Sequence, residues 1–183
     1  MIDRKTGKTV DMLHDFKAPH DAIKLDDGSF LVNELGTKSL LRVSGEHGKE
    51  RTTVVGELAG PVGLVAGSGG SVYLTEAFAG QVSKVDGAGQ KTVVAKDLKM
   101  PEGIALAQDG KLIVAEVGAR RIIQIDPQSG AVTEIAGGLP IGLAGAPDGL
   151  PTHIPTGVGV GGSGTIYFSS DIENAIYKIT KKQ

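Results

Sequence analysis

One pattern is written four times along this chain, and that repetition constrains the fold more than any other property of the sequence. Its clearest copy is PEGIALAQDGKLIVAEVGARRIIQID, beginning at Pro101. Three runs rich in branched and apolar residues, Gly103 to Ala107, Lys111 to Ala115 and Arg121 to Ile125, read as β-strands. A tight turn at Gln108-Asp109-Gly110 and a longer one from Glu116 to Arg120 separate them, so the segment predicts a three-stranded antiparallel meander. The same pattern starts again at Pro19 (PHDAIKLDDGSFLVNELGTKSLLRV), Pro61 (PVGLVAGSGGSVYLTEAFAGQVSKV) and Pro155 (PTGVGVGGSGTIYFSSDIENAIYKI). A fourth β run completes each of the first three units: Arg51 to Val55, Gln90 to Ala95 and Ala131 to Ala136.

Four short strands recurring at intervals of 42, 40 and 54 residues predict an all-β chain, a β-propeller of four blades with four antiparallel strands each. The N-terminal segment GKTVDMLHDFKAP aligns without a gap on GQKTVVAKDLKMP, Gly7 on Gly89 and Phe16 on Leu98, so the chain opens on the fourth strand of a unit. It ends on the third strand of one. The expected domain is therefore a single propeller, residues 1–183, with blade units 19–60, 61–100, 101–154, and 155–183 joined to 1–18. Thr9 to Leu13 is expected to pair beside Ala175 to Thr180 and to shut the ring, leaving no free sheet edge. A monomer follows from that closure. A dimer exchanging terminal strands, or a fragment of a six-bladed ancestor, remains an alternative.

Composition narrows the function classes. A net charge of −2 gives no footing for a nucleic acid or an anionic membrane, and Lys5, Lys8, Lys178, Lys181 and Lys182 read as solvation of the seam between the chain ends. No cysteine is present, which excludes disulfides and thiolate metal sites. No apolar run is long enough to span a bilayer, and the charged N-terminus carries no export signal. A mature secreted or periplasmic domain, its signal removed, would read the same way.

Local motifs add little chemistry. Gly157-Val158-Gly159-Val160-Gly161-Gly162 spells a dinucleotide fingerprint, but the next residues are the β run Thr165 to Ser169 instead of the helix N-terminus that must hold a pyrophosphate. A nucleotide cofactor is not expected. The excess length of the third unit lies in GGLPIGLAGAPDGLPTHIP, residues 137–155, too rich in glycine and proline for a strand or helix. It reads as a long loop between blades, either functional or a cover for the rim.

Candidate site residues come from the repeat. The residue after each proline begins an inner strand near the axis of a propeller, and these residues are His20, Val62, Glu102 and Thr156. A histidine and carboxylates converging there, Glu102, His20, Asp21 and Asp171, would suit a divalent cation such as calcium or magnesium, or acid–base work. Equally, they read as solvated or hydrogen-bonded residues without chemistry. Glu34, Glu76 and Glu116, with Ser170 then Asp171 in the last unit, form a second column. Because it repeats, its expected role is structural, with each acid bonding amides of the turn that follows. Asn33, Asp171 and Asn174 break the repeat and draw more functional interest. Of the other histidines, only His153 in the long loop does so.

The proline-x-glycine strand starts, the Asp27-Gly28 and Asp109-Gly110 turns and the Ile122 to Asp126 ending resemble the NHL and SMP-30/gluconolactonase group of propellers. The virginiamycin B lyase type and the secreted propellers of scytonemin clusters are close variants, and the long loop looks most like the latter. The resemblance covers nearly the whole chain. It implies a propeller, usually of six blades. In enzymatic members it also implies a divalent metal on the axis, held by Glu, Asn and Asp, that serves lactone opening or related bond cleavage. Glu102 is the residue it places on such a ligand. The expected function is thus a binding module holding a small ligand, metal ion or protein partner at its axial channel, with a metal-dependent hydrolase or lyase as the alternative.

Overall fold

The computed structural model describes residues 2–9, 12–142 and 155–180. Three four-stranded antiparallel sheets follow one another: β1 (Pro19–Lys24) to β4 (Glu50–Val55), β5 (Pro61–Ala66) to β8 (Lys91–Ala95), and β9 (Pro101–Leu106) to β12 (Val132–Ala136). A fourth holds β13 (Val158–Val160), β14 (Ile166–Ser170) and β15 (Ala175–Ile179). Within each sheet the strand order is the chain order, as a meander requires. Among the described residues helix is confined to two single turns, Glu46–Gly48 and Val117–Ala119.

Turn chemistry explains the meander. Asp27 accepts the Ser29 amide, and Gly28 takes a φ of 86° that a side chain would resist. Between the second and third strands, Lys38, Gly80, Arg120 and Asn174 occupy the same repeat position. All are left-handed, with φ between 53° and 61°. Asn174 departs from the repeat in letter but not in conformation, because asparagine tolerates this region better than most residues.

Period-two alternation gives every sheet two apolar faces, and successive sheets bury them against each other. Leu31 and Leu40 of the first sheet pack with Leu64, Val72, Leu74 and Val85 of the second. Tyr73 and Val82 meet Ile104, Leu112, Val114, Ile123 and Ile125 of the third. Ile113 and Ile122 meet Ile166 and Phe168 of the fourth. The linker before each sheet is drawn in as well, through Leu58, Leu98 and Ile141. Residues 143–154 of the long loop, with His153, lie outside the described residues. The loop's start is pinned by the Leu139 amide on the Arg120 carbonyl and by Ser170 Oγ on the Pro140 carbonyl.

The glutamate column is structural, but its partners differ from those expected. Each carboxylate reaches back to the incoming linker: Glu34 accepts the Lys17 amide, Glu76 the Ala59 amide at 3.0 Å, and Glu116 the Lys99 amide at 2.7 Å. The side chains that neutralise them come from the same sheet or its turn, Thr37 for Glu34, Ser83, Gln81 and Lys91 for Glu76, and Arg121 for Glu116.

The expected closure is not seen among the described residues. Thr9 bridges Ile2 instead of β15, and the last sheet has three described strands. Downstream, the segment turns onto the outer face of the first sheet. Leu13 and Phe16 pack over Val32, Leu41 and Val43, Arg51 lies over the Phe16 ring 4.1 Å from its centre, and Arg51 donates to the His14 and Asp15 carbonyls. Lys17 and Ala18 are bonded to Glu34, Leu35 and Gly36, the same anchor that Ala59 and Gly60 make on the second sheet and Lys99 and Met100 on the third, so it fixes where the segment enters the first sheet, while Val10 and Asp11 of the expected strand lie outside the described residues.

Removing a buried carboxylate of this column should be costly. Glu116→Ala leaves the Lys99 amide and the Arg121 guanidinium without their partner, and a loss of about 3 kcal/mol is expected in urea denaturation. Glu134→Ala, which touches the same arginine from an exposed position, should cost less than about 1 kcal/mol.

Candidate functional site

The inner strands β1, β5 and β9 all begin with a register slip. Pro19, Pro61 and Pro101 pair with Glu34, Glu76 and Glu116, and pairing resumes at Asp21, Leu64 and Ile104. A bulge of this kind turns a side chain out of the alternation of its strand. His20, Val62 and Glu102 each sit in one, so the residue after the proline is set apart by backbone geometry as well as by sequence position.

A line of hydrogen bonds ties these starts together across the sheets. Asn33 Nδ2 donates to the Gly63 carbonyl at 3.0 Å, and the Leu64 amide donates to Asp21 Oδ2 at 2.9 Å. Thr75 Oγ1 accepts the Gly63 amide at 2.8 Å and donates to the Glu102 carbonyl at 2.6 Å. Glu102 Oε2 accepts the Thr156 amide at 2.6 Å, and the Gly103 amide donates to the Thr156 carbonyl at 3.0 Å. Asn33, Thr75 and Thr156 are fully buried. Two buried acceptors in this row, Asn33 Oδ1 and Thr156 Oγ1, have no hydrogen-bond partner among the described residues. Buried polar atoms are rarely left so, and those that are often mark a place where a ligand or water belongs.

Glu102 is the electrostatic centre of the row. Burial disfavours its charged form and nearby Asp171 repels it, while the Thr156 amide opposes both. The net effect pushes its carboxyl from 4.5 up to about 7. Asp21 is also raised, by burial against the partial relief of the Leu64 and Ala22 amides. Glu76, by contrast, is held below the usual carboxylate range: burial works against it, but Ser83, Gln81, the Ala59 amide and Lys91 outweigh that.

Of the predicted site residues, Glu102 and Asp171 interact electrostatically, as do His20 and Asp21. Asp171 also accepts the Gly142 amide at 2.9 Å, which holds the start of the long loop against the fourth sheet. Among the described residues, no three His, Asp or Glu side chains gather to hold a metal ion. Thr75 was not singled out from the sequence, and Thr156 was named only as the residue after the fourth proline, without a role. The signal that could have found Thr75 is the column Asn33, Thr75, Ala115, Ser169, polar in three of four units on strands otherwise apolar. Two shallow clefts, of about 400 and 360 Å³, lie away from this row on the first sheet, one edged by Asp27, Arg42 and Ser44, the other by His14, His47 and Arg51.

Comparison with solved structures decides the fold. A virginiamycin B lyase from Staphylococcus aureus is similar over 87% of this chain and 51% of its own, at 22% identity and a TM-score of 0.67. Nidogen, in its complex with laminin, is similar over 95% of this chain and 64% of its own, at 17% identity and a TM-score of 0.76. The fold is a β-propeller fold. A putative gluconolactonase also has it, similar over 88% of this chain and 60% of its own, at 16% identity and a TM-score of 0.66. The resemblance read from the sequence therefore holds at the level of the propeller fold, and this chain spans 51% to 64% of the length of these three proteins. No family model and no curated protein matches the sequence.

The raised Glu102 carboxyl makes stability depend on pH. Between 4.5 and about 7 the folded chain keeps a proton that the unfolded chain has released, so stability falls as pH rises through that window. Urea midpoints at pH 5 and pH 8 should differ more for the wild type than for Glu102→Gln, whose amide does not titrate but still accepts the Thr156 amide. Equal pH dependence in the two proteins would refute the raised value.

Proposed function

We propose that the chain is a propeller binding module that takes a small polar ligand or a cation at the row of inner-strand starts around Glu102. The observation that carries this reading is the buried Glu102 carboxyl itself, repelled by Asp171 and bonded to Thr156, whose buried hydroxyl has no hydrogen-bond partner among the described residues. A protonated Glu102 can donate to a polar ligand, whereas an arriving cation would displace its proton. The described residues do not supply a full ligand set of acids and histidines, so no catalytic step is derived through a metal.

A metal-dependent hydrolase or lyase is the second reading. It is favoured by the pairing of Glu102 with Asp171 on a fold shared with a virginiamycin B lyase and a putative gluconolactonase. In this reading the ion would polarise a lactone or ester carbonyl. Glu102 and Asp171 would contribute to holding it.

Calorimetric titration with CaCl₂ and MgCl₂ at pH 8 and pH 6, together with a lactone hydrolysis assay, tests both readings. If a cation binds at Glu102, its affinity should fall about tenfold from pH 8 to pH 6, because the ion must expel the proton, and binding should be lost in Glu102→Gln. Binding without turnover supports the module. Turnover that depends on the metal and on Glu102 supports the enzyme, and neither binding nor turnover would remove the cation from both readings.

A further inference from the structure

The fourth sheet presents to solvent a face that its three predecessors bury. At the twelfth residue after each proline, Leu31, Tyr73 and Ile113 are 6%, 8% and 2% exposed under the next sheet, whereas Tyr167 is 44% exposed. At the twenty-first, Leu40, Val82 and Ile122 are completely buried, whereas Ile176 is 73% exposed. The fourth unit thus keeps the apolar residues of an interface, and among the described residues no further sheet covers them.

Two further features of that face match what a neighbour would need. Gly63 and Gly103 leave room for the next inner strand: a Cβ on either would lie 2.5 Å from the Glu102 carbonyl oxygen or 2.4 Å from that of Thr156. Gly157 stands at the same repeat position, yet the nearest atom to its virtual Cβ is Ser169 Oγ at 3.7 Å, within its own sheet. Ser169 occupies the position of Thr75. Thr75 accepts the amide of its own sheet's Gly63 and donates to the inner strand of the next sheet. Ser169 Oγ makes the first of these bonds, accepting the Gly157 amide at 2.8 Å.

The matching face exists at the other end of the same chain. Phe30, Val32 and Val43 of the first sheet stand where Val72, Leu74 and Val85 receive the first sheet, and, together with Leu41, where Leu112, Val114, Ile123 and Ile125 receive the second. Among the described residues they are roofed by Leu13 and Phe16, the counterparts of Ala95 and Leu98, and by no sheet. Substantial packing between sheets joins only consecutive ones. The four sheets also superpose on 51% to 64% of longer propellers, so they follow an arc that keeps the first and last sheets of one chain apart.

We propose that the open face of β13–β15 docks on the first sheet, β1–β4, of a second copy of this chain. The contact repeats the three sheet interfaces already inside the molecule. Two copies related by a two-fold axis satisfy both open faces at once and close head to tail. In the joined pair, Ser169 Oγ donates to the carbonyl of the partner's His20, as Thr75 donates to that of Glu102.

Light scattering and sedimentation over a dilution series should give twice the 18.8 kDa chain mass at high concentration. Ile176→Glu should weaken the dimer by at least ~30-fold with unchanged circular dichroism, since Ile176 is exposed in the single chain and its replacement disturbs no core. A second variant locates the contact. The chain has no cysteine, so Ser169→Cys combined with His20→Cys and treated with a short bismaleimide reports on this pair alone. A covalent dimer supports the proposal. A wild type that stays monomeric, a dimer indifferent to Ile176→Glu, an internally cross-linked monomer showing that the chain's own first sheet covers the face, or no cross-link at all would overturn it.

Discussion

Neighbouring inner strands run so close that the backbone of one lies against the α-carbon of the next, and the rest of the molecule is arranged around that approach. At Gly63 and Gly103 a methyl group would collide with a carbonyl oxygen of the following sheet. So tight a contact excludes side chains locally and leaves main-chain groups to be satisfied across the gap. The bulge after each proline, the Gly103 amide on the Thr156 carbonyl and the bridging hydroxyl of Thr75 are the ways in which this happens. Behind this polar seam the strands diverge far enough for Leu, Ile and Val to interdigitate between the sheets.

A carboxylate placed at that seam cannot behave as it would in water. Glu76 and Glu102 are both buried, yet their environments push them in opposite directions. Glu76 faces two side-chain donors, a backbone amide and a lysine, all of which favour its anion. At Glu102, burial and the repulsion of Asp171 outweigh the Thr156 amide. The first is compensated by groups of the fold and keeps its charge, whereas the second holds its proton up to about neutral pH.

Much of this was legible in the sequence because the repeat aligns equivalent positions. Strand locations agree within one or two residues, as in Arg121–Ile125, since alternation and the Asp-Gly turns are local properties. The structural role of Glu34, Glu76 and Glu116 followed from their recurrence. Their true partners did not, because a side chain reaching back to an amide 17 residues upstream leaves no trace in local pattern. Phe16 aligned correctly with Leu98, whereas the extension of that alignment into pairing with β15 is not seen among the described residues, which leave out Val10 and Asp11. Equivalence of residues fixes which core a segment joins, while ring closure depends on curvature accumulated over all the sheets, which no single repeat encodes. Glu102 was visible through its proline and glycine neighbours. Thr156 was visible as the residue after the fourth proline, but its bond to Glu102 was not, since that contribution is a backbone amide.

Because each sheet leans only on the sheets beside it, the molecule behaves as a short linear array whose cooperativity is the sum of nearest-neighbour couplings. The three-stranded member at one end has a single such coupling, while those in the middle have two. Protection of its amides against exchange should be the weakest of the four, and local opening begins there, so the element most prepared to engage another surface is also the one that the array holds least firmly.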